Sequence, residues 1–260
     1  MDIVTAKDIA KMIDVSLVNP TMTEQDIKNG CELAMKYDVA SICVRNDFVA
    51  LGYSILKNTG VKVTTVISCP WGSNLTEVKV FEAERALEQG CVELDMVQNI
   101  GHLLGGDFDY VENDIRAVAE TAHKAGALLK VILENAVLTD ELKVKACQIS
   151  ERAGADFVKT STGYASGGAT IPDLRLMRAS VSEKVNIKAA GGVRSLDAAL
   201  KVRAVGCTRF GCTATVKIME EAYEREAAGT LYLPLPEEVG DDLQGANDPK
   251  YTPSVSGAVS

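Results

Sequence analysis

Apolar residues along this chain recur in two rhythms. Val111, Ile115, Val118 and Ala122 are spaced by three or four residues, as are Leu142, Ala146, Ile149 and Ala153. That period lines up one face of an α-helix. Between such stretches lie short β-rich runs, and five of them follow a glycine that closes helical sequence. Asn58-Thr59-Gly60 precedes Val61–Ile67, Glu88-Gln89-Gly90 precedes Cys91–Val97, and Lys124-Ala125-Gly126 precedes Ala127–Leu133. Arg152-Ala153-Gly154 precedes Ala155–Lys159, and Ala204-Val205-Gly206 precedes Cys207–Gly211. A glycine just past a helix supplies the left-handed C-cap, so each tripeptide predicts a helix-to-strand joint. Asn74 with Glu77 and Asp109 with Glu112 have capping-box spacing and predict helix starts.

Three more strands complete the pattern. Ile13–Leu17 follows a short leading helix near Thr5–Met12, Ala40–Arg45 follows a helix over Thr23–Tyr37, and Val185–Ala189 stands between two further helical stretches. Eight strands alternating with helices over about 225 residues predict a (β/α)8 TIM barrel. A doubly wound open sheet is the structural alternative, but no Gly-x-Gly-x-x-Gly follows the first strand. The barrel is assigned to residues 1–228. Beyond Ala228 the periodicity stops: four of the seven prolines fall there, with Glu237, Glu238, Asp241, Asp242 and Asp248, so residues 229–260 are expected to form an extended or mobile acidic tail.

Composition narrows the function. Hydrophobic content of 47% and charged content of 24% describe a globular chain with material for a full core. The net charge of −9 argues against nucleic acid or an anionic membrane as partner, though not against a small anion held by local backbone amides. Seven cysteines, with no Cys-x-x-Cys pair, suggest buried free thiols in a reducing cytoplasm. No signal peptide and no membrane-spanning apolar run are evident.

The candidate chemistry centres on Asp156–Gly163, Asp-Phe-Val-Lys-Thr-Ser-Thr-Gly. A lysine within a buried strand must find a partner or lose its proton, and a neutral amine is a nucleophile. Asn186–Arg194 repeats the device with Lys188. On adjacent strands about 4.8 Å apart the two ammonium groups oppose each other's charge. One is therefore expected to be neutral near pH 7, with its neighbour protonated as an acid. Catalytic groups of such barrels gather at the C-terminal ends of the strands. Asp14, Cys43, Asp95, Lys130, Lys159 and Lys188 are expected there, with Asp95 as proton shuttle or as ion-pair partner of Lys130. Phosphate is expected at the glycine turns Gly191-Gly192-Val193-Arg194, ahead of a helix begun by Ser195, and Gly211-Cys212-Thr213, ahead of a helix over Thr213–Glu226.

These motifs carry a resemblance. Val-Lys-Thr-Ser-Thr-Gly at 158–163, Lys-Ala-Ala-Gly-Gly-Val-Arg at 188–194 and Glu-Leu-Asp-Met-Val at 93–97 look like the 2-deoxyribose-5-phosphate aldolases. So do Leu-Lys-Val-Ile-Leu-Glu at 129–134, Arg-Phe-Gly at 209–211 and Ile-Asp-Val-Ser-Leu at 13–17, in order over roughly residues 5–225. The resemblance implies Lys159 as the Schiff-base lysine, Lys188 as the lysine that tunes it and Asp95 as the proton-relay acid. Gly163, Gly191, Gly192, Arg194, Gly211 and Thr213 are the expected substrate and phosphate contacts, with Asp14, Cys43 and Lys130 in support. The implied reaction is reversible cleavage of deoxyribose 5-phosphate to acetaldehyde and glyceraldehyde 3-phosphate, without metal or organic cofactor. The imine is expected to act as electron sink for breaking C3–C4, and a homodimer in the cytoplasm is expected. The chain departs from many members at Tyr164 and at Cys212 and Ala214, where serine hydroxyls are usual.

Two alternatives stand beside this: a related class I aldolase for another sugar phosphate, and a barrel that binds a sugar phosphate without chemistry. A metal-dependent aldolase lacks ligands, because only His102, expected in a loop, and His123, on an outer helix, are present. Cys43 has no adjacent histidine to activate it and is expected to be a core thiol.

Overall fold

The structure, a computed structural model, describes residues 2–243. Eight parallel strands close into a barrel: β1 Ile13–Leu17, β2 Ser41–Val44, β3 Lys62–Ile67, β4 Glu93–Val97, β5 Leu128–Ile132, β6 Phe157–Lys159, β7 Asn186–Ala189 and β8 Cys207–Cys212. They follow one another in sequence order, and β8 returns to β1 with Asp14 opposite Gly211. The (β/α)8 fold expected from the helix–glycine–strand grammar is therefore the fold observed.

The alternation within each strand divides two environments. Leu94 and Met96 on β4, Leu129 and Val131 on β5, Val158 on β6 and Ile187 on β7 are fully buried in one apolar layer between sheet and helices. That layer is where the helical stripes dock: Val111, Ile115, Val118 and Ala122 of helix Phe108–Lys124, and Ala146 and Ile149 of helix Asp140–Arg152. Burying that apolar surface is the main favourable contribution to folding. The other strand face points into the barrel and is largely polar.

Some local expectations are corrected. Gly90, Gly126, Gly154 and Gly206 take the left-handed conformation, but Gly60 does not. Asn74 and Asp109 cap nothing: helix Thr76–Glu88 starts after Leu75 without a side-chain cap, and Asp107 caps the helix that contains Asp109. The reciprocal capping boxes are instead Thr5 with Asp8 and Thr23 with Asp26. Spacing alone overlooked them because aspartate, reaching back over three residues, serves as well as glutamate. His102 lies in a short helix, Ile100–Leu104, nucleated by Asn99, whose side chain accepts from the His102 amide at 3.2 Å. The final helix is Thr215–Ala227, so Thr213 precedes it.

Residues 229–243 of the expected tail are held against the barrel. Tyr232–Leu233 pairs antiparallel with Asp2–Ile3, and Leu231, Val239 and Leu243 are buried. Arg175 binds Asp241 at 3.0 Å and the Pro236 carbonyl at 3.1 Å, and Lys201 binds the Asp242 carbonyl at 2.8 Å. Pro249, Pro253 and Asp248 lie outside the described residues. Among the described residues no helix is long and apolar enough to cross a membrane, and all seven cysteines are free.

One ion pair is sealed among the outer helices. Lys79 and Asp114 meet at 2.6 Å with both side chains fully buried; Lys79 also donates to the Val97 carbonyl at 3.2 Å, at the end of β4. Thr76 donates to the other Asp114 oxygen at 2.9 Å. Removing one partner strands a buried charge, whereas replacing both removes the desolvation cost as well. Lys79→Met is expected to destabilise the fold by about 3 kcal/mol, and Lys79→Met with Asp114→Leu to recover most of that loss in urea denaturation.

Candidate active site

Every second residue of a barrel strand faces inward. Here that face carries Asp14 from β1, Ser41 and Cys43 from β2, Thr64 from β3, Glu93 and Asp95 from β4, Lys130 from β5, Lys159 from β6, Lys188 from β7 and Arg209 from β8. The registers set Asp95 beside Lys130, Lys159 beside Lys188, and Lys188 beside Arg209. All ten are buried, with relative exposures of 8% or less. In place of packed aliphatics the barrel encloses a charged network.

Asp95 is its centre. Its Oδ2 accepts from Lys159 Nζ at 2.7 Å and from Lys188 Nζ at 2.6 Å, while its Oδ1 accepts from Lys130 Nζ at 2.9 Å. Lys188 also contacts Asp14 Oδ2 at 2.5 Å, and Lys130 contacts Glu93 Oε2 at 2.7 Å. Arg209 closes the network: its guanidinium binds Asp14 through Nε at 2.9 Å and Glu93 at 2.9 and 3.2 Å. Ser41 donates to Asp14 at 2.6 Å, and Thr64 donates to Glu93 at 3.2 Å.

The electrostatics follow from those contacts. Burial by itself would raise the Asp95 carboxyl, but Lys130, Lys159 and Lys188 outweigh it and hold the group well below the usual carboxylate range. Burial would likewise lower Lys188; Asp14 and Asp95 overcome that and hold it protonated, above the ordinary lysine range. Lys130 is also raised, against burial, chiefly by Asp95. Cys43 is pushed up to about 11 by burial and by the nearby Asp95, so it is a protonated core thiol.

The structure brings Lys159, Lys188, Asp95, Asp14 and Lys130 into one network, yet not all at strand ends. Asp95 and Lys130 are the central residues of β4 and β5, and Asp14 is near the start of β1. Lys159 is the last residue of β6, at the barrel mouth. Sequence reasoning assigned no role to Glu93 or Arg209, whose pairing forms the layer beneath. The period-two alternation could have found them, since Glu93 stands two residues before Asp95 and Arg209 is the inward residue of Arg-Phe-Gly.

The glycine turns adjoin around the mouth. Gly163, Gly191 and Gly192 have φ of 92°, 78° and 99°, conformations that a side chain would strain. Gly168, in the loop after β6, lies against Gly191: a Cβ on Gly191 would stand 2.9 Å from the Gly168 Cα. The Ala169 amide, in turn, lies 3.0 and 2.9 Å from the Ala190 and Gly191 carbonyls. Gly211 adjoins the same turn through Ala190, whose Cβ would lie 4.0 Å from one added to Gly211. Ser195 caps the helix that follows, accepting from the Ala198 amide at 3.2 Å. Arg194 is half-buried on this turn and Thr213 is exposed beside the last one. His102 and His123 are spent on surface contacts with Asp107 and Asp156, each at 2.9 Å. Among the described residues no group of three or more His, Cys, Asp or Glu side chains is placed to hold a metal ion.

The network makes the fold acid-sensitive in a defined window. Burial would raise Glu93, but Lys130 and Arg209 prevail and lower it to about 2. A depressed carboxyl contributes stability above its unfolded value, about 4.3, and loses it as pH falls through the folded value. The urea midpoint is therefore expected to fall between about pH 4.5 and 2, and Glu93→Gln to lower the neutral-pH midpoint while flattening that fall.

Comparison with known proteins gives the family. The family model described as DeoC/LacD family aldolase matches residues 9–218. A deoxyribose-phosphate aldolase of Rhodopirellula baltica is 48% identical over 215 residues, covering 83% of this chain and 89% of that protein. One from a Thermoanaerobacter species is 50% identical over 215 residues, covering 82% and 96%. The tetrameric deoxyribose phosphate aldolase of Aeropyrum pernix superposes with a TM-score of 0.78 at 31% identity, covering 84% of this chain and 92% of that one. With its barrel, its buried lysine network and a family match spanning most of its length, the chain belongs to the DeoC/LacD family of aldolases.

Proposed function

We propose that this aldolase reversibly cleaves 2-deoxy-D-ribose 5-phosphate to acetaldehyde and D-glyceraldehyde 3-phosphate through an imine on Lys159. The observation that carries the reading is the sharing of one Asp95 oxygen by Lys159 and Lys188, at 2.7 and 2.6 Å, with Lys159 alone at a strand end facing the mouth. Its three relatives above, all described as deoxyribose-phosphate aldolases, support the substrate.

The contacts support Lys159 as nucleophile. Within the barrel Asp14, Glu93 and Asp95 face the buried cations Lys130, Lys159, Lys188 and Arg209, and the exposed Lys62 reaches Glu93 Oε1 at 3.3 Å. Lys130 and Lys188 each touch two carboxylates, while Lys159 touches one and stands at the strand end. A neutral Lys159 attacks the C1 aldehyde of the open sugar, and Lys188, held protonated, supplies acid for loss of water from the carbinolamine.

The expected C3–C4 cleavage is corrected by electron count. An iminium at C1 accepts the electron pair left on C2, so the C2–C3 bond breaks as the C3 hydroxyl gives up its proton to become the aldehyde of the leaving fragment. The two-carbon enamine then carries C1 and C2, and the three-carbon phosphate leaves with C3 to C5. Asp95, ionised and fixed between the lysines, aligns the path by which a proton reaches C2 of the enamine; hydrolysis of the acetaldehyde imine restores Lys159. Phosphate is placed against the backbone at Gly163, Gly191, Gly192 and Gly211, with Arg194 and Thr213 nearby. Backbone donors serve where Cys212 and Ala214 offer no hydroxyl. Self-association in the cytoplasm belongs to the same reading.

Borohydride reduction in the presence of acetaldehyde is expected to fix a two-carbon adduct on the peptide containing Lys159, and Lys159→Arg to lose both adduct and turnover; a few per cent residual cleavage would exclude Lys159 as nucleophile. Activity is expected to survive dialysis against a chelator, and zinc-restorable loss would overturn the imine route. Lys188→Leu is expected to slow trapping about 100-fold or more, whereas Asp95→Asn is expected still to form an adduct while turnover falls. Trapping of Lys188→Leu at the wild-type rate would remove Lys188 from imine formation.

A further inference from the structure

Behind the nucleophile strand lies a carboxylate that the reaction above does not use. Glu134 lies two residues beyond the end of β5, is only 3% exposed, and has φ and ψ of 60° each, in the left-handed region. A non-glycine residue persists there only where its surroundings over-determine it, and such residues gather at functional sites. Here the backbone is fixed on both sides: the Leu133 amide donates to the Lys159 carbonyl and the Asn135 amide to the Thr160 carbonyl, both at 2.9 Å. The turn is thereby tied to the end of β6, and its side chain is delivered to the loop that follows Lys159.

That loop hangs from Glu134. The Thr162 amide donates to Glu134 Oε1 at 3.3 Å, and the Thr162 hydroxyl makes a short hydrogen bond to Oε2. The same hydroxyl accepts from the Tyr164 amide at 3.0 Å. Gly163, at φ 92°, is therefore gripped on both sides by a chain of bonds that begins at the carboxylate. Further along, Tyr164 Oη donates to the Val18 carbonyl beyond β1 at 2.8 Å, and Gly168 rests on Gly191. The segment 162–169 thus links the turns after β5, β6, β7 and β1. Burial raises the Glu134 carboxyl, against the hydrogen bonds from Thr162 and the charge of Lys159.

We propose that Glu134 is a positioning residue for substrate phosphate: through Thr162 it fixes the Gly163 backbone in the orientation that meets the phosphate, without itself touching the reacting atoms. This rests on the assignment of deoxyribose 5-phosphate as substrate. Backbone donors assist an anion only when held in place beforehand, so loosening them affects the phosphorylated substrate selectively.

The test compares 2-deoxyribose 5-phosphate, unphosphorylated 2-deoxyribose, and acetaldehyde trapping in the full chain. Glu134→Gly keeps the left-handed backbone and deletes the carboxylate. It is expected to raise KM for the phosphorylated sugar about tenfold or more, the equivalent of one charge-assisted hydrogen bond, with trapping and kcat/KM for the unphosphorylated sugar within about twofold of wild type. Glu134→Gln, which keeps one acceptor oxygen, is expected to recover part of the loss. Thr162→Val, which leaves β5 untouched and carries the test should the glycine variant fail to fold, is expected to show the same selectivity; combined with Glu134→Gly it should cost little more than either alone. An unchanged KM for the phosphorylated sugar, or equal losses on both sugars, overturns the proposal. A wild type that handles both sugars alike overturns the sugar-phosphate reading itself, and this assignment with it.

Discussion

A carboxylate with three ammonium partners governs the interior of this barrel. Asp95 is fully buried and binds Lys130, Lys159 and Lys188 with its two oxygens. Without Asp95 those lysines would face one another in a medium where an unpaired charge is very costly. Asp14 and Glu93 extend the arrangement downward through Arg209, so that each buried charge has an opposite partner within 3 Å. Lys159 is the member at the open end, and it touches a single carboxylate where Lys130 and Lys188 each touch two.

Placing charge inside the barrel requires apolar stabilisation elsewhere. In this fold the strands bury their other face against the helices, where Leu94, Met96, Leu129, Val131, Val158 and Ile187 form a continuous layer. The two faces of each strand thus serve separate ends, one stability and the other chemistry. Because both are set by alternation, inserting or deleting one residue in a strand exchanges them. Lys79 and Asp114 carry a similar logic outside the sheet, linking two helices to the carbonyl at the end of the Asp95 strand.

The mouth is built by backbone more than by side chains. Gly163, Gly191 and Gly192 adopt conformations that strain other residues, and Gly168 lies so close to Gly191 that no side chain fits between them. Ser68 after β3 and Glu134 after β5 are side-chain-bearing residues in the left-handed region, and the Glu134 carboxylate organises the neighbouring loop. Rigid turns on a closed sheet give preorganised donors, which a mobile loop would first have to order.

Much of this was legible in the sequence. The helical stripes and glycine joints determined the barrel, and a lysine in each of two short apolar runs marked Lys159 and Lys188 as paired or reactive. The motif around Asp95 was visible as well, although its depth in the strand was not. Helix starts were legible only in part, since Asn74 and Asp109 have the spacing of caps but do not sit at the observed starts. Only the tertiary structure decided that Asp14, Glu93 and Arg209, from β1, β4 and β8, join one ion-pair network with the lysines, and that residues 229–243 run along the outer helices. The reason is physical: alternation and capping are local and repeat along the chain, whereas the partner of a buried charge comes from whichever strand closure of the barrel places opposite it.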